Sequence, residues 1–460
     1  MPTGCRAPTP GTVIELPARV HLSGCDYFLL ALDRRDESVG SAANVCSIVL
    51  HLADRLDPDA LREAIARSPL IGWLAGVRYV PRMPFFLRPI WVAGQPQDGL
   101  RPILREGQSP HEGVDLPCCS DPHRVTRPES APGLAFDLIH RPEAGSTLCM
   151  TWHHTLMDAR GAELLLGHLG SDGAADSLLE QMVPPRKPER AIDWLAKVGA
   201  FPGRLRDCRK SARHVAAMTG ATVAHLAPAG GDGKEAGRRF HLISFDSAET
   251  ARIDERARSF HADFRKSLIY LAAAMRATHA IRRERGEQGG VYIVAAPCDM
   301  RRGGARGPAF SNQLSFLFYR ADADRLGDLG GLIRVLAGQM TEQLREETHR
   351  ALAAMMAQFR RIPLGLYSRL VRGPTKGRIA SFFFSDTGEV CPLLDRFLGL
   401  TPTDVIHLPP AICPPGLTVA SSRYRRRLRL VLSWTGGRLS TAEAKAFERH
   451  VRRDLLGSER

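Results

Sequence analysis

The chain has 460 residues, more than one ordinary hydrophobic core accommodates, so two or more folding units are expected. Apolar residues at 44% and charged residues at 24% exclude wholesale disorder, and no stretch approaches the roughly 18–20 apolar residues of a membrane span. The 63 Lys+Arg against 49 Asp+Glu leave a formal charge of +14, which fits either coding bias in an Arg-rich proteome or an anionic partner: a phosphate-bearing small molecule or carrier, a lipid headgroup or, with no zinc-finger or RNA-binding aromatic motif to support it, a nucleic acid last.

The N-terminus, Met1 to Arg6 followed by Pro-rich sequence, has no apolar signal core, so a cytoplasmic protein is expected. Ten cysteines are scattered without a Cys-x-x-Cys pair. Cys118-Cys119, with His111 and His123 nearby, match no standard zinc spacing, so free thiols and no metal are expected. Asn44 to Leu52 is strand-like. Asp57 and Pro58 open a helix that Leu61, Ile65 and Leu70 continue at near-helical spacing. Leu134 to His140 and Ser146 to Trp152 read as strands joined by the turn Arg141–Gly145, and a helix follows over about 161–169.

From about Gly170 to Gly237 the periodicity weakens and Gly, Pro and charge accumulate. A strand at Arg239–Phe245 precedes a long helical stretch over about 247–285, broken at most once. Strands follow at Val291–Ala296 and Gln313–Arg320, then a second long helix over about 326–361. Ile379–Ser385 and Arg425–Trp434 read as strands, and Ser440 caps a closing helix to Leu456. Arg423, Arg425, Arg427 and Arg429 alternate as one solvated sheet face. The expected class is α/β: one half over 1–185, a connecting segment over 186–237 and a second half over 238–460. A cleft between such halves is a common ligand site.

The strongest chemical signal is Trp152-His153-His154-Thr155-Leu156-Met157-Asp158. His-His-x-x-x-Asp arises by chance in roughly one chain of this length in thirty, so its context matters. It sits at the end of an alternating strand, just before a helix, where α/β proteins place reactive groups. Histidine titrates near neutrality and suits removal of a proton from an attacking N–H or O–H.

This run resembles the active-site motif of the coenzyme-A-dependent acyltransferase superfamily, which includes condensation domains, wax ester synthase/diacylglycerol acyltransferases, alcohol acetyltransferases and chloramphenicol acetyltransferase. Four other segments are similar in kind and order: Leu22 to Phe28, Pro297-Cys298-Asp299-Met300-Arg301, Ser311-Asn312-Gln313-Leu314-Ser315, and Phe384-Ser385-Asp386-Thr387-Gly388. The resemblance covers about Leu22 to Gly388. It implies two chloramphenicol-acetyltransferase-like halves in a V-shaped pseudo-dimer, with a tunnel between them. It implies an acyl thioester donor, either acyl-coenzyme A or an acidic phosphopantetheinyl carrier protein, and an amine or alcohol acceptor, with no resident cofactor.

By the same resemblance His154 is the general base, His153 is structural, and Asp158 pairs with an Arg, for which Arg301 is the candidate. Asn312 and Ser315 lie near the tunnel, and Asp386 and Gly388 support it. Ala159, Ser311 and Asp386 depart from the usual Gly, Gly and Asn, and Ala159 raises the expectation of a differently shaped loop. The alternative reading is a non-catalytic condensation-like module that binds a carrier protein or partner. Isomerisation of a carrier-bound residue shares the motif. A monomer suffices to build the cleft. Peripheral lipid contact stays open through the helix over 326–361, which is more simply a core-packing helix.

Overall fold

The computed structural model describes residues 16–33, 44–81, 89–94, 103–108, 133–141, 145–171, 201–219, 222–226, 238–262, 265–301, 303, 307–372, 379–392, 394–435 and 437–457. The first part of the chain runs β1 (Arg19–His21), α1 (Gly24–Asp33), β2 (Val45–Leu52), α2 (Pro58–Arg67), α3 (Pro69–Gly76), β3 (Val77–Val80), β4 (Ile90–Ala93), β5 (Leu104–Gln108), β6 (Leu134–His140), β7 (Ser146–His153) and α4 (Ala159–Gly170). Then come α5 (Phe201–Thr219), β8 (Arg238–Phe245), α6 (Ser247–Ser259), α7 (Ser267–Glu284), β9 (Val291–Asp299) and β10 (Leu314–Asp322). A 3-10 turn, Ala323–Gly327, leads to α8 (Leu329–Arg345), α9 (Thr348–Phe359) and α10 (Leu364–Arg372). The chain closes with β11 (Phe382–Glu389), β12 (Pro402–Leu408), β13 (Leu417–Tyr424), β14 (Arg427–Thr435) and α11 (Thr441–Leu456).

Local chemistry sets many of these boundaries. The Asp57 side chain accepts from the Asp59 amide at the start of α2, while Ser440 and Glu443 form a reciprocal capping box at the start of α11. The helix expected to run from Asp57 through Leu70 is two helices. Ser68 is held extended before Pro69 and caps α3, which carries Leu70. Both long helical stretches also divide. His261 at φ 55° separates α6 from α7, and Glu347 at φ 53° separates α8 from α9.

The four alternating arginines are not one strand face. Arg425 and Arg426, at φ 46° and 66°, form the turn of a hairpin between β13 and β14. Arg423 on β13 binds Asp254 and Tyr270, while Arg429 on β14 binds Asp404 at 2.7 Å. The positions Cys118, Cys119, His111 and His123 lie outside the described residues.

The described strands form three sheets. One is five-stranded, β12-β2-β7-β6-β5; one is six-stranded, β10-β9-β11-β13-β14-β8; a small one is β1-β4-β3. In the five-stranded sheet β12 comes from far along the chain, pairing Val405 with Leu50 and Ile406 with Val49. One apolar core lies under the five-stranded sheet around Phe136, Met150 and Trp152, and a second lies under the six-stranded sheet around Tyr270, Phe382 and Phe447. Between the sheets Val49, Cys149, Ile406 and Leu408 meet Val431, Phe240 and Leu242. Arg238 of β8 crosses that contact to the Val45 carbonyl and to Ser47 Oγ at 3.3 Å.

One edge of the six-stranded sheet is β10 and the other is β8. On β10, the backbone groups of Phe318 and Arg320 meet two glutamines of α8. Gln339 accepts from the Arg320 amide at 2.9 Å and donates to its carbonyl at 2.7 Å. Gln343 does the same for Phe318 at 2.9 and 2.7 Å.

Candidate functional site

β7 pairs with β2 as far as His153, opposite Val45. The next residue leaves the ladder, and the His154 amide donates to the Asn44 carbonyl at 2.8 Å. His153 is fully buried. One ring nitrogen lies 2.7 Å from Thr155 Oγ1 and the other 3.4 Å from Asp33, so this ring fixes the strand end. His154 is partly buried and lines a cavity of about 260 Å³ between the halves. Burial pushes its pKa below the ordinary 6.5, opposed by its own carbonyl and by the charge of Asp158, which favours the neutral ring.

Asp158 caps α4 and does not face His154 as a partner. One carboxylate oxygen accepts from the Gly161 amide at 2.9 Å and from Arg301 Nη2 at 2.9 Å. The other accepts from Arg301 Nη1 at 3.0 Å and from the Gln313 amide at 2.9 Å. The pair is two-pronged and dry, with side chains 4% and 3% exposed. It ties the His loop of the first half to the β9–β10 connection of the second. Ala159 opens α4 in the helical state, where alanine is unstrained, so the loop needs no left-handed residue there. Gly161 cannot take a side chain: a Cβ would stand 2.1 Å from the Ala309 carbonyl oxygen.

Asn312 does not line the cavity but reaches the His loop from behind. Its Nδ2 donates to the His154 carbonyl at 2.7 Å and to Asp26 at 2.9 Å. Asp26, fully buried on the first turn of α1, also accepts from the Asn312 amide, the Ser23 amide and Ser311 Oγ. Burial raises its pKa, and these donors oppose the rise. Ser311 sits at φ 75°, a conformation that favours glycine; its hydroxyl bond to Asp26 at 2.7 Å offsets that strain. Ser315 faces away from the cavity and donates to the His349 carbonyl at 2.5 Å, because strand alternation turns Leu314 and Phe316 inward instead.

Asp386 and Ser385 line the far wall. Asp386 accepts from Ser421 at 2.8 Å and from the Gly388 amide at 3.2 Å, and its burial raises its pKa. Arg160 of α4 crosses to this wall and donates to the carbonyls of Thr387 and Glu389. The cavity is therefore chemically lopsided. Leu29, Leu32, Leu314, Phe316, Phe383 and Ile412 make one apolar end, and Arg160, Asp158, Asp386 and Thr387 crowd the other. Sequence reasoning missed Asp26 and Arg160 as individuals. The spacing Ser23-x-x-Asp26, in which each backbone amide bonds the other side chain, was the available sign for Asp26. Arg160 carried no sign.

Among the described residues no helix is long and apolar enough to cross a membrane. No protein-family model and no curated protein matches the sequence. Solved structures do. The first condensation domain of the calcium-dependent antibiotic synthetase, in complex with a substrate analogue, aligns with 96% of this chain and 97% of its own at TM-score 0.65 and 14% identity. The TRI3 trichothecene 15-O-acetyltransferase from Fusarium sporotrichioides aligns over 95% of each chain at TM-score 0.64 and 14% identity. The epimerization domain from the third module of tyrocidine synthetase B aligns over 96% and 97% at TM-score 0.58 and 14% identity. The chain thus has the condensation-domain fold, two chloramphenicol-acetyltransferase-like halves in a mixed α/β arrangement.

Proposed function

We propose that this chain is an acyltransferase that moves an acyl group from a thioester to an amine or hydroxyl, with His154 as the general base. The observation that carries the reading is a partly buried histidine on a cavity wall, whose loop is pinned from behind by Asn312 and at its end by Asp158 and Arg301. A base held this way loses little freedom when substrate binds. The acceptor N–H or O–H gives its proton to the His154 ring as its N or O attacks the thioester carbonyl. The C–S bond then breaks, and the imidazolium returns the proton to the departing thiolate.

The donor is coenzyme A-linked or carrier-linked, and the product is a specialised-metabolite or lipid ester or amide. The apolar end of the cavity supports an apolar acyl group, because Leu314, Phe316 and Phe383 leave part of their surface uncovered there. The test is thiol release from a panel of acyl-coenzyme A thioesters with pooled amines and alcohols. Native protein is expected to release thiol only when acceptor is present, and His154→Ala is expected to lose about two to four orders of magnitude in rate. A His154→Ala variant of near-native rate would end the general-base assignment.

A further inference from the structure

We propose that the basic face of α5 is an anion site that takes the phosphate end of the thioester donor. Arg206, Arg209, Lys210, Arg213 and His214 recur at helical spacing, so they form one stripe. The stripe faces Glu346 and Thr348 at the junction of α8 and α9 across a depression of about 710 Å³. Four cations there meet one carboxylate on the lining. Lys210 lies 4.0 Å from the Glu346 carboxylate and also donates to its carbonyl, and Glu342 acts on His214 from the preceding turn.

Arg206, Arg209 and Arg213 make no hydrogen bond or ion pair among the described residues. Several arginines elsewhere among the described residues find acids: Arg276 binds Asp454, Arg285 binds Glu443 and Arg429 binds Asp404. What sets the α5 group apart is its clustering on one face over a depression. Like charges at three- and four-residue spacing oppose helix formation, and a bound anion would relieve that repulsion. Guanidinium forks match phosphate oxygens two at a time.

Position favours the donor. The His214 ring packs on Phe318 with centroids 6.1 Å apart, and Arg320 donates to the Ala217 carbonyl at 3.0 Å. Phe318 lies two residues along β10 from Phe316, on the same face, a step of roughly 7 Å. Phe316 lines the cavity that holds His154. The anion site therefore lies along the same strand face as one wall of the acyl-transfer cavity, and a pantetheine arm is long enough to join a thioester inside the cavity to a phosphate outside it. The identity of the ligand as donor rests on the acyltransferase reading; the existence of the anion site does not.

The experiment is calorimetric titration of the full chain and of an Arg206→Ala/Arg209→Ala/Arg213→Ala variant. The ligands are adenosine 3′,5′-bisphosphate, desulfo-coenzyme A and phosphate-free pantetheine. The two phosphate ligands should bind the native chain, weaken with salt, and lose about tenfold in affinity for each arginine in direct contact. Pantetheine should not distinguish the proteins. In turnover, the variant should lose kcat/KM with an acyl-coenzyme A about tenfold or more, and less than about twofold with the matching N-acetylcysteamine thioester.

Arginine-dependent binding of a phosphopantetheinyl carrier protein without bisphosphate binding would keep the site and assign the carrier as its source. Equal affinities in both proteins would overturn the site. So would equal losses with both thioesters, or arginine-dependent binding to phosphatidylglycerol vesicles alone. If no thioester is turned over at all, the acyltransferase reading fails while the bisphosphate titration still decides the anion site.

Discussion

Replacing Asp158 by Ala deletes the acceptor of four hydrogen bonds in one step. Two come from Arg301 at 3.0 and 2.9 Å, one from the Gly161 amide and one from the Gln313 amide, both at 2.9 Å. The guanidinium left behind has little water to turn to, since its side chain is 4% exposed. Removing one partner of a buried pair costs about 3–5 kcal/mol, and losing a helix cap adds about 1 kcal/mol. Asp299 at 3.2 Å and the Pro308 carbonyl at 3.0 Å still hold Arg301, so about 4 kcal/mol is the reasoned total.

Unfolding entropy of about 2.1 cal/mol/K per residue gives about 1 kcal/mol/K for 460 residues melting as one unit. The midpoint should then fall about 4 °C, and about twice that if the halves melt separately. Scanning calorimetry of Asp158→Ala, Arg301→Ala and the double variant reads this directly. The double variant leaves no unpaired buried guanidinium, so the cycle should show coupling of about 2 kcal/mol or more. Additive single losses, or an Asp158→Ala midpoint indistinguishable from native, would refute the argument that this pair fastens the His loop.

Other outcomes follow from the same geometry. Because burial depresses the His154 pKa, its base form persists below pH 6.5. The acid limb of kcat/KM should therefore fall only below that value, and a pH–rate profile with a His154-dependent limb above 6.5 would contradict the assignment. Asp26→Asn turns an amide NH₂ toward donors. It should cost about 1–3 kcal/mol in denaturant melts and lower turnover through the Asn312–His154 link. The sign with pH is opposite to that of a paired carboxylate: the raised Asp26 pKa adds stability that is full below about 3.8 and lost as pH rises through the folded value. Asp26→Asn should lack that slope. Gly161→Ala drives a Cβ to 2.1 Å from the Ala309 oxygen, so α4 must shift; about 1–3 kcal/mol of melting stability and most activity should go, and a native-like variant would show the contact to be soft.

The parts legible in the sequence were those written in neighbouring residues. Alternation along Leu148, Met150 and Trp152 located β7 and put His154 at its end, and Asp57-Pro58 and Ser440 announced their helices. Illegible parts depended on distant pairing or on exceptions to residue preference. His261 and Glu347 break long helices in a left-handed state that usually signals Gly or Asn, so the first break could be allowed for but not placed and the second read as continuous helix. Arg425-Arg426 turns a hairpin for the same reason unannounced, and no strand was read where β13 lies. The strand β12 lies on a sheet whose partner, β2, is some 350 positions earlier, a pairing that nothing local encodes. At the site, the His–His–Asp spacing was visible, but Ser315 faced α9 and the anchoring role of Asp26 needed the fold.

The two glutamines of α8 have a consequence for how the molecule behaves in a crowd. Four residues of helix advance about 6.0 Å, and two residues of strand about 6.8 Å, so side chains at Gln339 and Gln343 can answer Phe318 and Arg320 as a counterfeit neighbouring strand. The ladder is thereby ended rather than merely hidden. At Phe318 and Arg320 this edge therefore offers a second chain no open backbone groups to extend, within a strand nine residues long. Replacing both glutamines would leave the apolar core in place yet open the backbone of Phe318 and Arg320 to a neighbouring chain.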